Sequence, residues 1–266
     1  MCAASHIKKA LTIAGSDPSG GAGVQSDLKT FSQLRLYGMT VVTALTAQNT
    51  HGVSGVAEVD PAFVALQLDS VLSDITPEAT KTGMLWTAAV VEVVAQKVKE
   101  YQIKNLVVDP VLISTTGTRL MQADALAVLR NNLMPLATLV TPNLDEASAL
   151  TSAPVVSIAD MERSARQIYE MGPQYVLIKG GHLQGDAIDI LFNGSSFLQF
   201  RSSRVVTKNT HGTGCVLSAS IAAYLALGAS VKEAVELGKQ FVTEALRNAS
   251  EIGSGAGPCD PLSLGR

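Results

Sequence analysis

Two short segments of the chain, the strand cores LVVD (106–109) and YVLI (175–178), are apolar on consecutive residues rather than at every second one. A strand with this pattern is buried on both faces, which is typical of a parallel sheet covered by helices. Strand-like and helix-like patterns alternate along the rest of the chain, and no linker-like stretch divides it. We therefore predict a single α/β domain over residues 1–266, with a mostly parallel central sheet flanked by helices on both faces.

The predicted elements follow one another closely. Apolar or β-branched runs predict strands at 10–14, 41–46, 79–83, 106–111, 138–141 and 175–179. Apolar residues at helical spacing predict helices at 24–36, 61–72, 88–101, 158–171, 212–227 and 231–247. The segments 187–192 and 196–201 flank Asn193-Gly194 and predict an antiparallel hairpin, which departs from the parallel order.

Composition excludes several classes of protein. Hydrophobic residues make up 47% of the chain and charged residues 16%, which excludes intrinsic disorder. The net charge of -3 offers no basic excess for a nucleic-acid backbone, so we expect no nucleic-acid partner. The cysteines (Cys2, Cys215 and Cys259) are few, odd in number and far apart, which argues against a disulfide framework and a structural zinc site.

No segment has the pattern of a secretion signal or a membrane span. The apolar run 10–14 is too short for a signal-peptide core. The most apolar stretch, 216–229, is interrupted by serines and is shorter than the roughly 20 residues that a spanning helix needs. We therefore predict a soluble, cytoplasmic protein without a membrane partner.

Two glycine-rich loops stand between a predicted strand and a predicted helix. The loop 15–23 (GSDPSGGAG) matches neither the Walker A nor the GxGxxG pattern, but its four glycines indicate a tight turn or close approach to a ligand. The loop 207–215 (TKNTHGTGC) leads into a helix, where Gly212, Thr213 and Gly214 would present successive backbone N–H groups to an anion. Cys215 would lie in the first turn, where the helix dipole lowers the pKa of a thiol; a buried structural cysteine is the alternative.

Charged residues follow three other predicted strands. Lys179, before Gly180-Gly181, could reach a phosphate as a point charge or could be a surface lysine. Asp109 and the loop 141–146 (TPNLDE) offer oxygen ligands of the kind that Mg²⁺ prefers, although Asp145 and Glu146 could equally be acids of a first helical turn. An anion site, a lysine and carboxylates together favour phosphoryl transfer.

Seven segments, spread in order over nearly the whole chain, match one known family: LTIAGSDPSGGAGVQSDLKTF (11–31), TALTAQNTHGV (43–53), KTGML (81–85), VVDPV (107–111), TPNLDEA (141–147), LIKGGH (177–182) and KNTHGTGC (208–215). Through them the chain resembles the hydroxymethylpyrimidine/phosphomethylpyrimidine kinases of thiamin biosynthesis, in the ribokinase-like superfamily. The resemblance implies a ribokinase-like α/β domain, often dimeric, so a homodimer is expected. It also implies an enzyme that uses ATP and Mg²⁺ to phosphorylate the pyrimidine alcohol and then its monophosphate.

The resemblance also implies roles for individual residues. Gly212, Thr213 and Gly214 would form the anion hole, and Cys215 would be the base on the substrate hydroxyl. The substrate pocket would be lined by Gln48, which would pair with the aminopyrimidine edge, and by Gly15, Asp27, Met84 and Val111. ATP and Mg²⁺ would be held by Lys179, Asn143, Glu146, Thr213 and Asp109.

Some features depart from the family's pattern or leave alternatives open. The stretch 113–117 (ISTTG) lacks the lysine that many members carry there, so no charge from this loop is assumed. The chain ends soon after the last predicted helix, so we expect no fused second domain. A pyridoxal kinase of the same family is the nearest alternative. A thiol hydrolase built on Cys215 and His211 is disfavoured because no Asn or Asp orienter is identifiable, and a non-catalytic nucleotide-binding regulator is disfavoured by the presence of both Cys215 and Lys179.

Overall fold

The computed structural model describes residues 7–114, 117–181, 183 and 185–263. Its strands are β1 Lys9–Ser16, β2 Tyr37–Asn49, β3 Gly52–Glu58, β4 Ala79–Thr82, β5 Leu106–Val108, β6 Leu139–Val140, β7 Tyr175–Ile178, β8 Ala187–Phe192 and β9 Phe197–Ser202. Its α-helices are α1 Gly23–Gln33, α2 Pro61–Leu72, α3 Ala88–Glu100, α4 Ala125–Val128, α5 Leu144–Thr151, α6 Ile158–Tyr169, α7 Thr213–Ala226 and α8 Val231–Arg247. A π-helical turn Leu129–Leu133 and 3₁₀ turns at Met134–Leu136 and Pro261–Ser263 complete the elements.

All nine strands form one sheet in the order β3-β2-β1-β4-β5-β6-β7-β8-β9. The six central strands, from β2 to β7, pair in parallel, whereas β3, β8 and β9 pair antiparallel at the two ends. The predicted fold class and the hairpin of β8 and β9 are therefore confirmed. Edge strand β3 was not predicted, because its sequence GVSGVAE mixes small and polar residues and lies mostly at the surface.

The central strands contribute alternate side chains to two separate hydrophobic cores. Leu11 and Ile13 pack with α2, α3, α5 and α6 on one face. Ala10 packs with α1, α7 and α8 on the other face, and Val107 does the same between Leu106 and Val108. This arrangement explains the consecutive apolar residues, since both faces of the sheet are covered.

Several helices begin where the sequence places a capping residue. The Ser157 side chain accepts a hydrogen bond from the Asp160 backbone N–H at the start of α6. Ser230 and Glu233 form a complete capping box at the start of α8. Among the described residues, no helix combines the length and the apolar character needed to cross a membrane.

Candidate active site

A cavity of about 660 Å³ lies beyond the carboxyl ends of the parallel strands. This is where the loops after successive parallel strands meet, so residues far apart in sequence converge there. Every site residue predicted from the sequence lines the cavity except Asp27. The lining members are Gly15, Gln48, Met84, Asp109, Val111, Asn143, Glu146, Lys179, Gly212, Thr213, Gly214 and Cys215. Of the other residues noted in the sequence, Cys2, Thr115, Thr116 and His182 fall outside the described part of the chain.

The two glycine-rich loops pack against each other, backbone to backbone. Gly212 has a φ of 76°, and a Cβ atom on it would lie 1.8 Å from the carbonyl oxygen of Gly21. Gly23 has a φ of 58°, and its Cβ atom would lie 2.3 Å from the carbonyl oxygen of Gly15. The glycines therefore permit a close approach that no other residue allows. This packing holds the loop 15–23 beside the start of α7.

The start of α7 combines backbone donors with a nearby lysine. The first N–H groups of a helix have no partner within the helix, and the helix dipole makes this end positive. A Cβ atom on Gly214 would lie 3.4 Å from Lys179 Nζ and 3.9 Å from Asp109 Oδ2. The Lys179 ammonium thus lies beside the helix terminus. The structure therefore brings the predicted anion site and the predicted phosphate-binding lysine next to each other.

Lys179 is paired with both predicted acidic residues. Its Nζ atom lies 2.7 Å from Asp109 Oδ1 and 3.7 Å from Glu146 Oε2. Asp109 also accepts hydrogen bonds from Thr141 and Ser218. Burial disfavours the charge on Lys179, but attraction by Asp109 and Glu146 outweighs it and raises the pKa of the lysine to about 12. The alternative of a surface lysine is wrong.

Glu146 serves the helix as well as the cavity. The Asn143 backbone N–H donates to Glu146 Oε2 over 2.7 Å, and the Glu146 backbone N–H donates to Asn143 Oδ1 over 2.8 Å, which forms the capping box of α5. Burial raises the pKa of Glu146 to about 7, although Lys179 pulls it down. Glu146 is thus an acid of the first helical turn, one of the two interpretations that the sequence offered, and it also lines the cavity; its role as a Mg²⁺ ligand stays a prediction.

The carboxylate oxygens of Asp109 and Glu146 suit a divalent cation that is bound mainly by the phosphates of a nucleotide. Among the described residues, no group of three or more His, Cys, Asp or Glu side chains could enclose a metal ion. Asp109 and Glu146 nevertheless place two carboxylates near one cation, at 2.7 and 3.7 Å from the Lys179 ammonium. Mg²⁺ commonly uses one or two carboxylates together with phosphate oxygens and water. The donor set therefore suits Mg²⁺ that arrives with a nucleotide.

Asp27 does not reach the cavity. It is fully buried, and both of its carboxylate oxygens accept from Lys81 Nζ, at 2.9 and 2.8 Å. Thr12 Oγ1 donates to Asp27 Oδ2 over 2.6 Å. Lys81 stands between Asp27 and the cavity and lines the cavity itself. Lys81 belongs to the matching segment KTGML (81–85), but the resemblance implies no role for it. Its position in a buried strand indicates that it needs a partner, because a charge that is buried on both faces of a sheet must be paired.

The thiol of Cys215 lies in the first turn of α7, as predicted, and burial there opposes the ionisation that the helix dipole favours. Burial raises the pKa of Cys215 to about 11, and Asp27 and Asp109 add to this effect. The Lys81 ammonium and the Gly23 backbone N–H act in the opposite direction. In the free protein, burial therefore favours the protonated thiol over the thiolate.

We expect the rate of Cys215 alkylation by iodoacetamide to rise about tenfold per pH unit between about pH 7 and 10, because only the thiolate reacts. Peptide mass spectrometry of timed digests measures the rate at Cys215 alone. Cys259, whose pKa burial raises to about 12, serves as the internal comparison and should react more slowly. A rate that is already constant above neutral pH would show that the thiol ionises readily.

The Gln48 and His211 side chains meet at one wall of the cavity. Gln48 Nε2 lies 3.4 Å from His211 Nε2, and Asp17 Oδ2 lies 2.9 Å from the same nitrogen. Asp17 is therefore an orienter for His211, which the sequence did not reveal. The Nε2 atom faces Asp17 and Gln48, so the recorded contacts give no support to a Cys215–His211 hydrolase pair.

Comparison with known proteins gives a consistent result. The family model described as phosphomethylpyrimidine kinase matches residues 17–260. The hydroxymethylpyrimidine/phosphomethylpyrimidine kinase of Bacillus subtilis is 45% identical over 262 residues, which cover 98% of this chain and 97% of that protein. The thiamine biosynthesis bifunctional protein of Geobacter sulfurreducens is 50% identical over 95% of this chain, but the chain spans only 52% of that relative. The crystal structure of an ADP complex of Bacillus subtilis pyridoxal kinase superposes with a TM-score of 0.90 at 40% identity, covering 97% of this chain and 98% of that chain.

Proposed function

Because the chain belongs to the phosphomethylpyrimidine kinase family, we propose that it transfers the γ-phosphoryl group of ATP to 4-amino-5-hydroxymethyl-2-methylpyrimidine and then to the resulting monophosphate. The observation that carries this proposal is the convergence of the α7 terminus, Lys179 and Cys215 on one cavity. Phosphoryl transfer depends mostly on positioning and charge stabilisation, and these groups supply both.

In the proposed first step, the hydroxymethyl oxygen attacks the γ-phosphorus, the bond from that phosphorus to the β–γ bridging oxygen breaks, and ADP leaves. The backbone N–H groups of Gly212 and Gly214 stabilise the charge on the transferring group, together with that of Thr213, which in the free protein donates to the Thr210 carbonyl over 3.3 Å. Lys179 contributes a point charge from the carboxyl end of β7. Cys215 Sγ accepts the hydroxyl proton as its thiolate, which the Lys81 ammonium favours. Because the thiolate is the minor form, the proton transfer should become faster as pH rises.

Mg²⁺ would be held by Asp109 and Glu146 together with ATP phosphate oxygens, and it would neutralise phosphate charge when bound. Asn143 stays in place through its capping box with Glu146 and contributes to the same side of the cavity.

A pyridoxal kinase is the second candidate, and the favouring observation is the similarity to the Bacillus subtilis pyridoxal kinase structure. The Gln48 amide distinguishes the two substrates, because it can donate and accept at once. An aminopyrimidine offers an amino donor beside a ring-nitrogen acceptor, whereas the pyridine alcohol lacks that adjacent pair. The pyrimidine therefore satisfies both amide groups and is the preferred substrate.

The deciding experiment measures ATP consumption with Mg²⁺ and one alcohol at a time: the hydroxymethylpyrimidine, its monophosphate, and pyridoxine. We expect turnover on both pyrimidines, with a higher kcat/KM than on pyridoxine. Turnover on pyridoxine alone would favour the pyridoxal kinase. If none of the three alcohols increased ATP consumption, both assignments would be contradicted. A homodimer and a cytoplasmic location stay predictions. Light scattering of the purified protein tests whether it is a dimer.

A further inference from the structure

We propose that His211 is a positioning residue for Gln48: its Nε2–H group fixes the orientation of the Gln48 amide, and thereby the way the cavity reads the edge of its substrate. The inference rests on the proposed function, in which Gln48 contacts an aminopyrimidine. His211 is buried, lines the cavity, and reaches Gln48 from the loop that also carries the anion site.

Asp17 determines which nitrogen of His211 carries a proton. Its Oδ1 atom accepts from the Ser19 backbone N–H and hydroxyl, and its Oδ2 atom accepts from the Ala22 backbone N–H. Burial disfavours the carboxylate, but the hydrogen bonds from His211 and Ser19 outweigh it and lower the pKa of Asp17. An ionised carboxylate can only accept hydrogen bonds. The Nε2 atom of His211, 2.9 Å from Oδ2, must therefore be the protonated nitrogen.

The neighbours of Gln48 then decide which way its amide faces. Its Nε2 atom lies 3.4 Å from the His211 Nε2–H group, and its Oε1 atom lies 3.2 Å from Thr46 Oγ1. The Thr46 hydroxyl donates to the Ser16 carbonyl over 2.9 Å, so only its lone pairs remain for Gln48. His211 has a single Nε2–H group, which donates to Asp17 Oδ2 over 2.9 Å and can only be shared with a second acceptor, so the Gln48 NH₂ group beside it is a donor facing a donor. Turning the amide by 180° places an acceptor beside the shared N–H group and a donor beside the lone pairs of Thr46. The oxygen then faces His211 and the nitrogen faces Thr46.

The turned amide keeps one lone pair and one N–H group for the cavity. These two groups match the amino donor and the adjacent ring nitrogen of an aminopyrimidine in one orientation only. An amide that could rotate freely would also accept ligands with the reverse order of donor and acceptor. His211 therefore contributes to specificity through Gln48, because a buried polar group left unpaired is costly.

A double-mutant cycle separates this role from a purely structural one. We expect Gln48→Ala and His211→Leu each to raise the KM for the pyrimidine about tenfold while the KM for ATP stays unchanged. His211→Leu should also lower the ratio of kcat/KM between the pyrimidine and pyridoxine. In the Gln48→Ala background, His211→Leu should add little further increase. The matched variant His211→Gln retains an N–H donor, so its KM for the pyrimidine should be close to that of the wild type.

The outcomes distinguish the inference from the proposed function beneath it. If the increases in pyrimidine KM caused by the two substitutions multiply in the double variant, or if the KM for ATP rises equally, the role of His211 is overturned while the proposed function stands. An unchanged pyrimidine KM in Gln48→Ala would instead place the pyrimidine elsewhere and contradict the proposed function. A measurement without any variant guards against misfolding: long-range ¹H–¹⁵N spectra of the wild-type protein should show His211 protonated at Nε2. A neutral ring protonated at Nδ1 alone would overturn the proposal.

Discussion

Replacing Cys215 with alanine should lower kcat for pyrimidine phosphorylation by about 10²- to 10⁴-fold, the usual contribution of a general base. The loss follows from position: Cys215 is the thiol at the helix terminus that lines the cavity beside the predicted anion site. The affinity for ATP should be nearly unchanged, since the lysine and the carboxylates on the nucleotide side remain. Steady-state kinetics with the pyrimidine, combined with a calorimetric titration of ATP, measure both quantities.

Two further variants make the result specific to the thiol. Cys259→Ala removes the other described cysteine, which is buried and does not line the cavity, and should retain most of the activity. Cys215→Asp supplies a carboxylate that is ionised at neutral pH and should recover part of the activity, with a weaker dependence on pH than the wild type. Unchanged turnover in Cys215→Ala would remove Cys215 as the base and leave phosphoryl transfer to positioning alone.

The sequence predicted where the site lies better than how its groups are charged. Loops after parallel strands converge at one edge of the sheet, so Lys179, Asp109 and Gln48 could be placed together from strand order alone. Ionisation depends on burial and on partners brought together by folding. The pair of Asp17 and His211 is separated by 194 positions, and the environment of Cys215 includes Lys81 and Asp27 from two other elements. Neither the orienter of His211 nor the raised pKa of Cys215 follows from a local pattern.

Lys81→Met should lower the free energy of unfolding by about 3–5 kcal/mol, because it leaves the buried Asp27 carboxylate without its partner. Both side chains of this ion pair are fully buried. Burial disfavours the charge on Lys81, yet attraction by Asp27 outweighs it and raises the pKa of the lysine. Urea unfolding of Lys81→Met, Asp27→Asn and the double variant measures the coupling. The double variant should lose clearly less stability than the two single losses added together, whereas additive losses would mean that the pair is not coupled.

The same variants test whether the ion pair controls the reactive thiol, and here the two partners should act in opposite directions. Lys81 lowers the pKa of Cys215 and Asp27 raises it. The pH profile of Cys215 alkylation should therefore move to higher pH in Lys81→Met and to lower pH in Asp27→Asn. A general loosening of the site would move both profiles the same way, toward that of an exposed thiol. Opposite shifts would instead mean that this buried ion pair sets the fraction of thiolate, and with it the rate of proton transfer.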